Sequence, residues 1–389
     1  MLFVIDSLVA AGAERSLVTL LSMLDYGKYE VDLQLFGYGG EFEQFLPKEV
    51  NLLPPLPYNL FLRKTVWEQL KTFNFKRIFS HFESTTRLKV GKHINRQIAQ
   101  ILWDSTKRCY SPTSQYDVAI AYAQGFPTFY VADTVCAKKK LSWVNADLTL
   151  TGKDKKFQVK RYNKIDTIVA VSESSLESFL VGCPEFKDKT TVIYDIIDPD
   201  HVRMLSNRET NIKLEKDVPY LITVSRLCNK SKGMDIALDV CRILKERGVK
   251  FRWYVFGSGD FKTSMQQYIV DHDLSDFMKL MGRISNPMPY LKDANIYVCT
   301  SRKESFGLSV AEARILNVPV VTTEFTGVYN QMIPDRNGVV VPIDAVAVAD
   351  AIEDLLNHPE KRKKISEFQQ TEKKGNSEEL QKFYSLING

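Results

Sequence analysis

The sequence lacks any C-x-x-C pair. Its six cysteines, Cys109, Cys136, Cys183, Cys228, Cys241 and Cys299, are scattered through 389 residues. Their spacings match neither a zinc site nor a small disulfide framework. A large chain with this usage reads as a reduced, cytosolic protein whose cysteines partly fill core. No run of 18 apolar residues occurs, so no membrane-spanning helix is expected. The opening MLFVIDSL has neither a basic n-region nor a cleavage site. It reads as a buried strand and a turn rather than a signal peptide. The spacing G-x-G-x-x-G is absent, which argues against a nicotinamide enzyme. There is no close internal repeat and no low-complexity segment. The net charge of +5 is modest, and its distribution says more than its size.

What is present is a rhythm. Short apolar, β-branched runs occupy 2–6, 31–36, 117–122, 140–144, 167–172 and 191–195, and again 220–225, 252–257, 279–282, 296–301, 318–323 and 338–342. Near-continuous apolar runs of this length suit strands covered on both faces. Between them lie helical patterns such as DIALDVCRILKERG (235–248), with one apolar face and Gly248 as a stop. This alternation is α/β architecture. The series restarts after the polar stretch 198–217. Two doubly wound, Rossmann-like domains are therefore expected to face each other across a cleft, with ligands at the strand carboxyl ends. We expect a first domain over 1–205 that binds an acceptor and a second over 206–365 that binds a donor. Residues 366–389 read as a C-terminal helix that returns to the first domain. The segment 359–370 reads as a solvated helix, not a nucleic-acid arm.

Residues 60–110 break the rhythm. They hold eleven Lys/Arg against three Asp/Glu, together with Phe61, Trp67, Phe73, Phe75, Phe79, Phe82, Trp103 and Tyr110. One reading is a pair of ordinary amphipathic helices with aromatics toward the core and cations toward water. The other is a face that rests on an anionic membrane. Nucleic-acid binding is not expected, because no nucleic-acid motif accompanies the charge.

Four segments carry candidate chemistry. The first is SRKESFGLSVAEARIL, in which Glu304 and Glu312 flank Ser305, Phe306, Gly307 and Leu308. A strand-turn-helix junction presents free N–H groups and a positive helix end to a phosphate. The two carboxylates would then bind hydroxyl groups on either side. Alternatively, Ser309-x-x-Glu312 is a capping box that only starts the helix. The second segment is VSRLCNKSKGMD (224–235), where Arg226, Lys230 and Lys232 follow a strand and Gly233 opens a helix. Cations so placed would meet a diphosphate, or form a solvated basic loop. The third is YVFGSGD, where Gly257 and Gly259 would let a ring or phosphate approach the backbone, or serve a tight turn. The fourth is DSLVAAGAERSL (6–17), a strand-loop-helix junction with Gly12 in the loop.

Taken together and in this order, these motifs resemble the retaining glycosyltransferases of family 4, which have the GT-B fold. AAGAER is similar to that family's GGAER loop. KKLSWVNADL and IVAVSESSLESF resemble the versions in bacterial capsular and exopolysaccharide enzymes. The resemblance implies a nucleotide-sugar donor on the second domain. Arg226 and Lys232 would hold its diphosphate, helped by backbone N–H groups of Phe306–Leu308. Glu304 would bind hydroxyls of the transferred sugar and Glu312 those of the ribose. The backbone near Arg283 and Ile284 would lie by the base, and Gly12 would let the donor or the acceptor approach. Arg226, Lys232 and Glu304 would be the catalytic residues.

The resemblance also implies that no metal is required, since the two cationic side chains do a metal's work. A UDP-sugar is favoured over a GDP-sugar. Where many relatives have histidine, this chain has Asn145, which forms hydrogen bonds but shuttles no proton. It is assigned to the acceptor side or to catalysis. Thr326–Asn330 replaces a G-G-x-x-E loop, and Asp195-Ile196 replaces an Asn-Gly pair. The expected activity is hexosyl transfer to a lipid-linked saccharide, in the cytoplasm at the inner face of the cell membrane. The other readings are a GT-B-fold sugar-nucleotide epimerase and a non-catalytic nucleotide-sugar-binding subunit of a polysaccharide complex.

Overall fold

A computed structural model describes residues 1–9, 12–93, 98–145, 152–210 and 212–389. Residues 10–11 of the AAGAER loop, 146–148 of KKLSWVNADL with 149–151 after it, and 94–97 of the basic stretch lie outside the described residues. The chain divides into two units. One comprises Met1–Asp195 with Glu378–Gly389, the other Ile196–Ser377.

The first unit is built on seven strands: β1 (Leu2–Ile5), β2 (Val31–Leu35), β3 (Val50–Leu52), β4 (Gln115–Ala121), β5 (Cys136–Val144), β6 (Thr167–Ala170) and β7 (Thr190–Val192). They pair in parallel in the order β3-β2-β1-β4-β5-β6-β7. The second unit holds β8 (Tyr220–Val224), β9 (Arg252–Phe256), β10 (Met278–Gly282), β11 (Ile296–Cys299), β12 (Val320–Thr323) and β13 (Val339–Val341). These too are parallel, in the order β10-β9-β8-β11-β12-β13. That is the Rossmann order, and its direction reverses between β8 and β11. A ligand crevice forms at such a reversal, at the strands' carboxyl ends.

The apolar runs are explained by cover on both faces. In the second unit Trp253, Val255, Ile296 and Val298 enter one core, while Tyr254, Phe256, Tyr297 and Cys299 enter the other. Successive strand residues point to opposite faces, so every position must be apolar. β3 was not expected from the sequence. It is a three-residue edge strand, VNL, too short and too polar to read as a run.

Two boundaries differ from the sequence reading. The division falls between Asp195 and Ile196 rather than at 205/206. Polar residues 198–206 do not form a free connection: Asp198 caps a helix over Pro199–Ser206, whose Val202 joins Ile197 in the second unit's core. At the other end, the helix Pro359–Thr371 stays in the second unit, and only the helix Ser377–Asn388 packs in the first. There Phe383 stacks on Phe3 at 6.3 Å, and Lys139 donates to the Leu386 carbonyl at 2.6 Å.

The basic stretch forms helices Pro57–Leu62, Val66–Lys71, Phe75–His93 and Ile98–Thr106. Phe61 and Trp103 are buried, as aromatics on a core face should be. Trp67, Phe73, Phe75, Phe79 and Phe82 are not; they stand in solvent. This overturns the reading of aromatics toward the core. On the helix Phe75–His93 the buried positions are Ser80 and Ser84, small enough to admit the neighbouring segment, and Ser80 Oγ accepts from Arg108 Nε at 2.7 Å. Among the described residues no helix is long and apolar enough to cross a membrane.

Candidate functional site

At the reversal between β8 and β11, two loops meet and hold each other. The loop after β8 contains Arg226 and then a single helical turn, Asn229–Lys232. The loop after β11 contains Thr300–Gly307. Ser231 O accepts from the N–H groups of Arg302 (2.8 Å) and Lys303 (3.0 Å), and Thr300 Oγ1 donates to Lys232 O at 3.2 Å. Arg302 pairs with Asp235 through both nitrogens, at 2.6 and 2.7 Å. Gly233 has φ +59, and a Cβ there would overlap the Thr300 carbonyl oxygen. Glycine is required because the two backbones touch.

This weld brings Lys232 to Glu304. Nζ lies 2.5 Å from Oε2, with the side chains 21% and 11% exposed. The other carboxylate oxygen accepts from Ser301 Oγ at 2.6 Å. Glu304 is therefore a carboxylate with both oxygens oriented, beside a cation held in place.

Past Glu304 the chain turns through Phe306 and Gly307 (φ +83) into the helix Leu308–Ile315. The capping box expected of Ser309 and Glu312 is not there. The N-cap is Gly307, without a side-chain cap, and Ser309 Oγ instead accepts from the buried Tyr297 hydroxyl at 2.7 Å. The glycine turn starts the helix two residues earlier than a serine cap would. That moves Glu312 into the second turn, where it is buried. The turn is braced from behind: Gln331 Nε2 donates to Phe306 O at 2.5 Å. Gln331 directly follows the Thr326–Asn330 segment and its one-turn helix Val328–Asn330, so that segment places the brace for the Phe306–Gly307 turn.

The glycine pair also reads differently in three dimensions. Added Cβ atoms at Gly257 and Gly259 would overlap the carbonyl oxygens of Ser225 and Leu227. These glycines admit the neighbouring protein backbone. Ser225 N donates to Phe256 O and Leu227 N to Ser258 O, both at 3.0 Å. Arg226, exposed between them, is held by this clasp at the end of β8. Arg283 and Ile284 follow β10; Arg283 is exposed and Ile284 packs on the core.

In the first unit, Gly12 starts the helix Gly12–Ser22. Asn145 follows β5 and donates from Nδ2 to Tyr122 O at 2.7 Å; its backbone N–H donates to Gln124 Oε1 at 2.8 Å. The Tyr122 hydroxyl pairs with Ser16 Oγ at 2.9 Å. Sequence reading gave no chemical role to three carboxyls beside this network. Burial pushes Asp6 up to about 6 and Glu14 up to about 7, with Asp6 adding to the latter. Burial also raises Asp195 to about 6, against the Ser16 hydroxyl, which lowers it. Asp6 directly follows β1 and was read only as a strand terminus. In the second unit Ser301, Arg302, Asp235 and Gln331 were missed. The S-x-x-E spacing of Ser301 and Glu304 was the one local signal; the others are joined only by the fold.

Comparison with known proteins identifies the domain that carries these loops. Residues 207–372 match the family described as glycosyl transferases group 1. The second unit carries a glycosyl transferases group 1 domain. Relatives of this chain include the amylovoran biosynthesis glycosyltransferase AmsK of Erwinia amylovora. It is 30% identical over 43% of this chain and 42% of that protein. The capsular polysaccharide biosynthesis glycosyltransferase CapM of Staphylococcus aureus is 26% identical over 51% of this chain and 54% of its own. The chain thus spans about half the length, or less, of the curated relatives it matches. Among solved structures, Anabaena HepE in complex with UDP and glucose has a TM-score of 0.65 at 16% identity. That match covers 100% of this chain and 99% of that one. The fold is GT-B: two parallel-stranded Rossmann-like units.

Proposed function

We propose that the protein is a retaining glycosyltransferase. It moves a sugar from a nucleotide donor to a lipid-linked saccharide acceptor, at the inner face of the membrane, in bacterial surface polysaccharide synthesis. The second unit takes the donor and the first the acceptor. The observation that carries this is the welded junction at the β8/β11 reversal. It presents the Lys232 cation, the oriented Glu304 carboxylate and the Gly307 helix start side by side.

The chemistry follows from charge. Departure of the nucleoside diphosphate leaves oxocarbenium character on the sugar and negative charge on the phosphates. Lys232, Arg226 and the first N–H groups of the helix Leu308–Ile315 are fixed before that charge appears, which is how such groups accelerate a reaction most. Glu304, with Ser301 and Lys232 on its two oxygens, binds sugar hydroxyls, and Glu312 binds the ribose. The acceptor attacks the face the diphosphate leaves, and the leaving phosphate takes its proton. No protein base is then needed, which fits the amide of Asn145 in place of an imidazole. No step requires a metal. HepE of Anabaena and TarM of S. aureus were solved with UDP, which supports a UDP-sugar donor.

A thermal-shift screen of UDP, GDP, ADP and their sugars, followed by incubation with extracted lipid acceptor, tests the reading. A new glycolipid is the expected product. Epimerised donor would point to an epimerase instead, and binding without turnover to a non-catalytic subunit. Within the site, Glu312→Ala should weaken nucleotide-sugar binding about tenfold or more, the loss expected for a hydrogen bond to a charged group. Isothermal titration beside a melting curve checks this. Unchanged affinity with a melting loss of several degrees would assign Glu312 to the fold alone.

A further inference from the structure

The helix Phe75–His93 is amphipathic the wrong way round for a helix that serves only the core. Phe75, Phe79, Phe82 and Val90 recur at i, i+4, i+7 and i+15, a single stripe, and are 74%, 59%, 68% and 57% exposed. Ser80 and Ser84, on the opposite side, are buried. Trp67 and Phe73, in the segment that precedes the helix, are 76% and 77% exposed. Phe73 is held at φ +48, a left-handed conformation costly for a bulky residue, and its ring still points to water. Soluble surfaces carry single exposed apolar residues, but a contiguous aromatic patch marks an interaction face.

Charge identifies the occupant. The local carboxylates are spent inside the unit. Glu83 holds Arg87 and Arg108, Asp104 holds Arg87 and Lys107, and Glu68 closes the Thr65 capping box. Lys71, Lys76, Arg77 and Lys89 carry no ion pair among the described residues. A protein groove for this patch would have to supply both an aromatic-sized cavity and matching carboxylates. An anionic bilayer supplies both at once, with acyl chains beneath a layer of phosphates.

We propose that Trp67, Phe73, Phe75, Phe79 and Phe82 insert into the interfacial layer of an anionic membrane. The unpaired cations around them lie at its headgroups. Attachment is thus by insertion, with charge assisting, and not by charge alone. The inference deepens the membrane part of the proposed function and rests on it for its purpose. Its support is the exposed stripe and the unpaired cations.

Tryptophan fluorescence reads it directly. Trp103, Trp143 and Trp253 are buried, so Trp67 is the exposed indole. With vesicles of phosphatidylglycerol and phosphatidylethanolamine, Trp67 emission should shift to the blue and be quenched by brominated acyl chains. Trp67→Phe should remove that signal while the protein still floats with the vesicles. Phe75→Ser, Phe79→Ser and Phe82→Ser should each weaken flotation about tenfold, the loss expected for one aromatic withdrawn from an apolar layer. Phe75 and Phe82 are exposed, so the melting curves and nucleotide-sugar thermal shifts of those variants should not change; Phe79→Ser also removes the ring beneath Arg108 (4.9 Å) and should lower Tm slightly. Those shifts report on the donor site separately, so failure of the transferase reading and failure of insertion are told apart. Flotation without a Trp67 shift, or flotation abolished by 0.5 M salt alone (~4 Å screening), would overturn insertion. A lipid-free dimer that the three serine variants dissociate would also overturn it, giving the face to a second copy of the chain.

Discussion

Replacing Lys232 by alanine is expected to lower kcat about a hundred- to a thousandfold, the range for removing one preorganised group that meets developing charge. KM should move far less, because the ammonium gains most when the diphosphate leaves. The geometry makes this the largest catalytic effect in the molecule. Lys232 ends a single helical turn that Ser231, Thr300 and the Arg302–Asp235 pair hold from three directions. Its Nζ has no freedom to wander before reaction, and its contact with Glu304 is short. Alanine leaves Glu304 with Ser301 as its oriented partner. The stability cost should be about 1–3 kcal/mol, that of an orphaned partner for a half-buried charge. The weld between the loops remains, so the variant stays folded in the assay. Lys230→Ala, at an exposed neighbouring position, is the control and should keep its rate within about twofold. Steady-state kinetics on the three proteins check this. A Lys232→Ala enzyme with half the normal kcat would remove this cation from the reaction.

The sequence carried the strands because cover on both faces forces apolar residues at every position, and that pattern survives without knowledge of what covers them. It pointed to the two loops that hold Lys232 and Glu304 because both loops follow strands, where α/β sheets place ligands. It failed where meaning depends on a distant backbone. Gly257 and Gly259 look the same in a string whether they admit a phosphate or the Ser225–Leu227 segment. Ser309 and Glu312 have capping-box spacing, but Gly307, in a left-handed conformation, starts the helix first. Asp235 and Arg302 are 67 positions apart; nothing local joins them. Phe75, Phe79 and Phe82 have the period of a core face. Only the packing of Ser80 and Ser84 against the next helix decides which side is the inside.

Gly257→Ala is expected to give the largest loss of stability, about 3 kcal/mol or more. For a unit of this size that is a fall in Tm of roughly 6–12 °C. Two costs combine. At φ +149 an L side chain is strained, and the added Cβ would overlap the Ser225 carbonyl oxygen, which is backbone and does not rotate away. Relief requires separating β8 from β9 at their carboxyl ends. That breaks the bonds from Ser225 N to Phe256 O and from Leu227 N to Ser258 O. Arg226 sits between those bonds, so the same shift moves the cation proposed to meet the diphosphate, and kcat should fall even well below the melting temperature. Gly248→Ala separates the two costs. Gly248 also has positive φ, at +73, but nothing lies within 4 Å of the added carbon, so it should cost only about 1–2 kcal/mol and leave the rate unchanged. Calorimetry and kinetics on both variants check the pair. Equal losses would mean that strain alone governs Gly257, and that the clasp does not position Arg226.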